Sequence, residues 1–204
     1  MTTTQKAPRW QMASIYPSLD SEAFETAFAT WTERIDDLTH FFADNDLQSA
    51  ATEESRSRDW DQIVAILESG IQKFNQTRSL GHKLYAYITG FTTTDSRDSQ
   101  AQAWSSRFLM QLARLEKLEP QFVAWVGSLD LDQAQARSDI IRDHIYTLRR
   151  QQTQAQHLMS PAEEALATDL KLTGGRAWAR LYNNFTSQIN ADIEINGELQ
   201  TLPI

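Results

Sequence analysis

Four histidines, at positions 40, 82, 144 and 157, are the side chains best suited to chemistry near neutral pH, and none has a second histidine within one helical turn. A helical zinc site needs H-E-x-x-H, which sets two imidazoles on one face with a carboxylate between them to activate water. That pattern is absent. Asp36 and Asp37 stand at usable helical spacings from His40, but one such pair makes half a site and reads better as a polar helix face. His144 beside Asp143 and His157 before Leu158 read as surface or satisfied histidines. A complete site would require the fold to gather His40, Asp36 or Asp37, and His144. No G-x-S-x-G presents a nucleophilic serine, and there is no cysteine. "TGGRAW" at 173–178 follows a helical pattern and lacks the closing Lys-Ser or Lys-Thr of a phosphate loop, so it reads as a helix-to-helix turn.

Adjacent carboxylates, Glu163 with Glu164 and Glu53 with Glu54, point about 100° apart on a helix and do not converge as an acid and base must. Arg176 and Arg180, four apart, and Arg149 with Arg150 have the chemistry to hold a carboxylate, although a solvated helix face is the commoner outcome. Trp31, Trp60, Trp104, Trp125 and Trp178 all fall on helical stripes, which favours core packing over a stacking platform. From these residues the catalytic, cofactor-binding and metal positions of the chain are: none.

The elements that would position these side chains are helical. A hydrophobic fraction of 41% over 204 residues supports a buried core, and only 7 glycines interrupt it. The net charge of −8, with no basic run, argues against nucleic acid as a partner. No stretch of about 18 apolar residues exists to span a membrane and no signal-peptide core opens the chain, so a cytoplasmic location is expected, in keeping with the absence of cysteine.

After an extended arm over 1–19, on which Trp10, Ile15 and Tyr16 are available as pins, Asp20 or Ser21 caps a helix carrying Phe24, Phe28, Trp31, Ile35, Leu38 and Phe42 on one face. Residues 43–58 are polar and read as a turn or loop, part of which could form a short helix. A second stripe runs through Trp60, Ile63, Val64, Leu67, Ile71 and Phe74 to Leu84, Tyr85 and Ile88. "TTTDSRDS" at 92–99 reads as the connection to a third helix with Trp104, Phe108, Leu112, Leu115, Leu118, Phe122 and Trp125, in which Pro120 predicts a kink or break. A further helix is predicted over about 138–157. Its apolar content is thin beyond Ile140, Ile141, Ile145, Tyr146 and Leu148, and "TLRRQQTQAQ" reads as a solvated stretch.

Ser160, Pro161 and Glu163 form a capping box with proline at the first helical position. The next helix, capped by Thr173 or Gly174, carries the stripe Trp178, Leu181, Tyr182 and Phe185. Asn196-Gly197 between "ADIEI" and "ELQTLPI" predicts a hairpin over 189–204, which is marginal without a third strand or a docking surface. The expected fold is mainly α, an antiparallel helical bundle with a C-terminal β-hairpin.

Three of these stretches, taken in order, resemble the N-terminal region of M3-family zinc metallopeptidases of the oligoendopeptidase F type. The first is Trp10, Met12 and Ile15 to Ser21; the second is Phe122, Trp125, Ser128 and Leu129. The third comprises His157, Leu158, Ser160, Glu163, Glu164, Thr173, Gly174, Ala177, Trp178, Leu181, Thr186 and Ser187. The resemblance implies a non-catalytic helical lobe, residues 20–188, of an enzyme that encloses short peptides and cuts them with zinc-activated water. It implies a zinc ion in the full-length enzyme and none in this chain, a C-terminal catalytic domain on the same or a separate polypeptide, and no activity of this chain alone. In that family the zinc ligands lie beyond the region that matches, so no site residue carries over. An unpartnered hairpin next to aromatic stripes is also what a cut at a domain boundary would leave. The competing expectation is a stand-alone helical interaction module without catalysis.

Overall fold

A computed structural model describes residues 11–47, 58–195 and 197–203 of the chain. A 3-10 turn at Met12–Ser14 leads into α1 (Glu22–Asp44), α2 (Trp60–Thr94), α3 (Ser99–Gly127), the short α4 (Leu131–Gln135), α5 (Asp139–Ala155), α6 (Pro161–Thr173) and α7 (Gly175–Thr186). The hairpin β1 (Asn190–Ile195) and β2 (Glu198–Pro203) completes the element order. The mainly α architecture with a C-terminal hairpin is the one expected. Trp10, Glu53, Glu54 and Asn196 lie outside the described residues, as does most of the polar 43–58 stretch.

Helices α1 to α6 each begin where a side chain can satisfy free amides. Ser21 accepts from the Phe24 amide, Asp59 from Gln62, Asp98 from Ala101, Asp130 from Asp132 and Gln133, and Ser138 from Ile141. Asp130 shows the effect on acidity, since the Gln133 amide and then its side chain hold the carboxyl below its ordinary range.

The α1 stripe faces inward as its spacing predicts, with Phe24, Trp31, Ile35, Leu38 and Phe42 fully buried and Phe28 packed at the margin. Burying a side chain of this size contributes about 1.5–3 kcal/mol, so the stripe is a main source of the bundle's stability. It meets α2 and α3, and α3 in turn packs against α5 and α6. The aromatic residues interlock rather than merely fill space: Trp31 stacks on Phe108 at 4.5 Å between ring centroids, and Phe24 meets Trp104 edge-on at 5.0 Å. The arm is pinned by Tyr16 and Leu19, both buried, while Ile15 is exposed. Tyr87 clamps it by donating from its hydroxyl to the Tyr16 carbonyl at 2.8 Å.

Several boundaries differ from the sequence expectation. Thr92, Thr93 and Thr94 stay in α2, because each hydroxyl turns back onto a carbonyl three or four residues earlier and competes less with the helix than it would from a loop. Pro120 does not end α3, which continues to Gly127. Its neighbours Leu118, Phe122 and Val123 are buried, and this packing outweighs the one lost backbone bond. The Asp130 cap opens the additional helix α4 ahead of α5. In α5, Ile141 and Leu148 are buried, Tyr146 is 80% exposed, and most of the 147–156 stretch is solvated as expected.

The hairpin is a two-stranded antiparallel sheet in which Ile195 pairs with Glu198 and Ile193 with Gln200. Gly197, at φ +84°, occupies the left-handed turn position that L side chains avoid.

Candidate functional site

The fold keeps the histidines apart from the carboxylates that could complete a site with them. Asp36 pairs with Arg114 of α3, and His40 is exposed one turn further along α1. His144 lies on α5, with Nδ1 2.8 Å from the Ile140 carbonyl and Nε2 3.2 Å from the Asn75 amide. Both ring nitrogens are thus engaged within the bundle. Among the described residues no three His, Asp or Glu side chains converge as a metal would require. The described residues therefore do not fit the zinc ion that the resemblance implies for a full-length enzyme.

The capping box at α6 forms as predicted. The Glu163 carboxylate accepts from the Ser160 amide at 2.9 Å and from its hydroxyl at 2.6 Å, while the Glu163 amide donates to Ser160 Oγ at 3.4 Å. The Ser160 hydroxyl, and then its amide, lower the Glu163 pKa. Glu164 accepts from the Met159 amide at 3.1 Å. Both acids are thus committed to the helix start. At the other end of α6 the Gly174 amide donates to the Leu170 carbonyl at 2.7 Å, and α7 starts at the next residue with no side-chain cap.

In α7 the structure reverses the expectation that Trp178 packs in the core. The stripe Trp178, Leu181, Tyr182 and Phe185 faces outward, with Trp178 70% and Phe185 69% exposed, while the opposite, polar face of α7 turns toward α2 and α3. The α6–α7 turn and three polar bridges set this orientation. Arg176 pairs with Glu116 at 2.5 Å, Arg180 donates to Ser106 Oγ at 3.2 Å, and the Ser187 hydroxyl donates to Ser96 Oγ at 2.9 Å. Leu166 and Leu170 of α6 and Ile193 and Leu199 of the hairpin are exposed as well, so α6, α7 and the hairpin each present large apolar side chains to solvent.

The same bridges hold α7 off the body and leave a groove of about 970 Å³ between α7 and the α2–α3 pair. Its floor carries Tyr85, 51% exposed and 5.6 Å from the Phe108 ring; its α7 wall carries Arg180, Asn183 and Asn184. Deeper in, Trp31 and Gly81 line it, with the indole nitrogen 2.7 Å from where a Gly81 Cβ would stand. Sequence periodicity signals neither the groove nor Glu116 as the partner of Arg176. The one available hint is the i, i+4 spacing of Arg176 and Arg180, which places both guanidinium groups on one side of α7.

Comparison with known proteins bears on this part of the chain. Residues 130–190, from the cap of α4 to the first residue of β1, match the family model for the N-terminal part of M3 peptidases, described as oligopeptidase F. No curated protein and no solved structure matches the chain. The matched segment contains α7, the wall of the groove and most of the outward apolar face, and it includes the third of the motifs on which the sequence resemblance rests. Residues 130–190 are thus similar to the N-terminal region of M3-family, oligopeptidase F-type proteins.

Proposed function

We propose that the chain is the non-catalytic N-terminal lobe of an oligoendopeptidase F-like zinc metalloendopeptidase, forming one wall of a channel that admits short peptides. The lobe spans 20–188 after an N-terminal arm of which the described residues 11–19 pack on it, and the hairpin over 189–204 is the joint to the catalytic domain, on the same polypeptide or a separate one. The observation that carries this reading is the outward apolar face of α6, α7 and the hairpin, most of it within the segment that matches the family model. Leaving Trp178, Leu181, Tyr182 and Phe185 in water is costly, and a second domain seated there would recover that apolar burial.

In this reading zinc and its water-activating chemistry belong to the catalytic domain, and the lobe alone neither binds catalytic zinc nor hydrolyses peptides. The absence of cysteine fits a cytoplasmic location, where thiols gain nothing as cross-links. No described helix is long and apolar enough to cross a membrane. The test compares this chain with the complete gene product for zinc content and for cleavage of a quenched-fluorescent peptide. Metal and activity are expected only in the complete product. A gene whose product contains no H-E-x-x-H and cleaves nothing would overturn the reading.

A further inference from the structure

The groove beneath α7 contains three arginines in different states. Arg78 pairs with Glu119 at 2.7 Å and Arg176 with Glu116 at 2.5 Å, so both are neutralised. Arg180 meets the Ser106 hydroxyl, and among the described residues no carboxylate pairs with it. Its guanidinium is a forked donor set with capacity for an anionic oxygen. One turn along the same wall, the side-chain amides of Asn183 and Asn184 make no hydrogen bond of their own among the described residues, and each offers both a donor and an acceptor. Across the gap the exposed Tyr85 ring, backed by the buried Phe108 ring, presents an apolar platform.

A carboxylate, an amide and an apolar side chain in sequence are the features of the last residues of a peptide. The groove's volume also falls within the range of about 300–1,000 Å³ typical of small-ligand sites. We propose that this groove binds the C-terminal end of a short peptide, its α-carboxylate at Arg180, its last backbone amide at Asn183 and Asn184, and its terminal apolar side chain on Tyr85. The choice of a peptide over other carboxylates rests on the proposed function. Such a site would hold a substrate by its free end, so internal loops of folded proteins would lack the anchor.

Calorimetric titration of this chain with Gly-Gly-Phe, its C-terminal amide and 3-phenylpropionate tests the proposal. The free acid is expected to bind at least about tenfold more tightly than the amide, the loss of a charge-assisted guanidinium contact. Arg180→Gln should reduce acid binding to the level of the amide and leave the amide unchanged, whereas Tyr85→Ala should weaken both. Both residues are exposed, and unchanged circular dichroism verifies that the variants fold. Equal binding of acid and amide, a preference that survives Arg180→Gln, or no binding would overturn the site. Equal binding of 3-phenylpropionate and the peptide would overturn the peptide assignment. None of these outcomes depends on whether the complete gene product carries zinc, so the proposed function stands or fails separately.

Discussion

Substituting Gly81 by alanine sets two effects of opposite sign against each other. In the interior of α2, alanine gains about 0.5–1 kcal/mol over glycine from backbone entropy alone. The new Cβ, however, would stand 2.7 Å from Trp31 Nε1 and 3.0 Å from its Cε2, well inside van der Waals contact. Trp31 cannot yield cheaply, because it is fully buried and stacked on Phe108 with the rings 8° from parallel. Overpacking costs about 1–3 kcal/mol, and an approach this close to a ring that cannot move takes about the upper half of that range, so with the entropy gain subtracted Gly81→Ala is expected to destabilise the chain by about 1–2.5 kcal/mol net. Two controls isolate the clash. At Gly175 a Cβ meets nothing within 4 Å, so Gly175→Ala should be neutral or stabilising by up to about 1 kcal/mol. At Gly90 the obstacle is the end of the Met12 side chain, which is flexible, so Gly90→Ala should cost less than Gly81→Ala. Urea unfolding of the three variants gives the order directly. A Gly81→Ala protein as stable as the parent would refute the close approach of α1 and α2 at this point.

Tyr87→Phe removes the donor to the Tyr16 carbonyl and leaves that buried oxygen unpaired, which should cost about 1–2 kcal/mol in the same assay. Burial raises the pKa of both Tyr87 and Tyr16, so the unfolded chain ionises first; stability present below pH 10 should fall as pH rises past it, and less steeply in Tyr87→Phe. Hydrogen bonds lower the pKa of Glu163, so its contribution is present above pH 4.5 and lost as pH falls through the depressed folded value. Amide exchange at the start of α6 should quicken over that range, and Ser160→Ala should show fast exchange already at neutral pH. Pro120→Ala should stabilise α3 by about 1–2 kcal/mol in urea, since the helix already runs through this position without its backbone donor. Serine at Trp178, Leu181 and Phe185 together should change the chain's stability by no more than about 0.5 kcal/mol per site, yet abolish its capture by the catalytic region in a pull-down; a collapse of the fold instead would show that the face is internal.

Where a helix has neighbours on its apolar side, its buried residues are legible from spacing. The α1 stripe is buried at nearly every position read that way, and the caps at Ser21 and Ser160 stand where their side chains permit. What periodicity misses in the bundle is set by contacts distant in sequence. Gly81 looks like a weak point of a helix until Trp31 is placed over it, and Ser138 looks like a plain cap until its hydroxyl is found to donate to Glu68 of α2. Tyr85 and Tyr87 illustrate the limit, because residues two apart on a helix point about 200° apart, and the one counted in the stripe is the exposed one. The groove is less legible still, since it is a gap between helices and no spacing along one helix encodes it.

α7 shows why an amphipathic pattern fixes two faces of a helix without deciding which of them turns inward. The chain between Thr173 and Gly175 is too short to let α7 rotate freely behind α6, and Arg176, in the first turn after it, is held by Glu116. That bond is formed between partly buried side chains, where screening by water is reduced and a charge-assisted contact contributes more than it would on an open surface. With the first turn held, residues four and seven positions on, Arg180 and Asn183, take the same side and line the groove, and Trp178, Leu181 and Phe185 must face away. The polar anchors therefore do two things with one rotation: they open a hydrogen-bonding groove on the inside and raise an apolar surface on the outside. A helix selected only for the stability of this bundle would place those faces the other way round, and the inversion is the observation on which the proposed docking of a second domain rests.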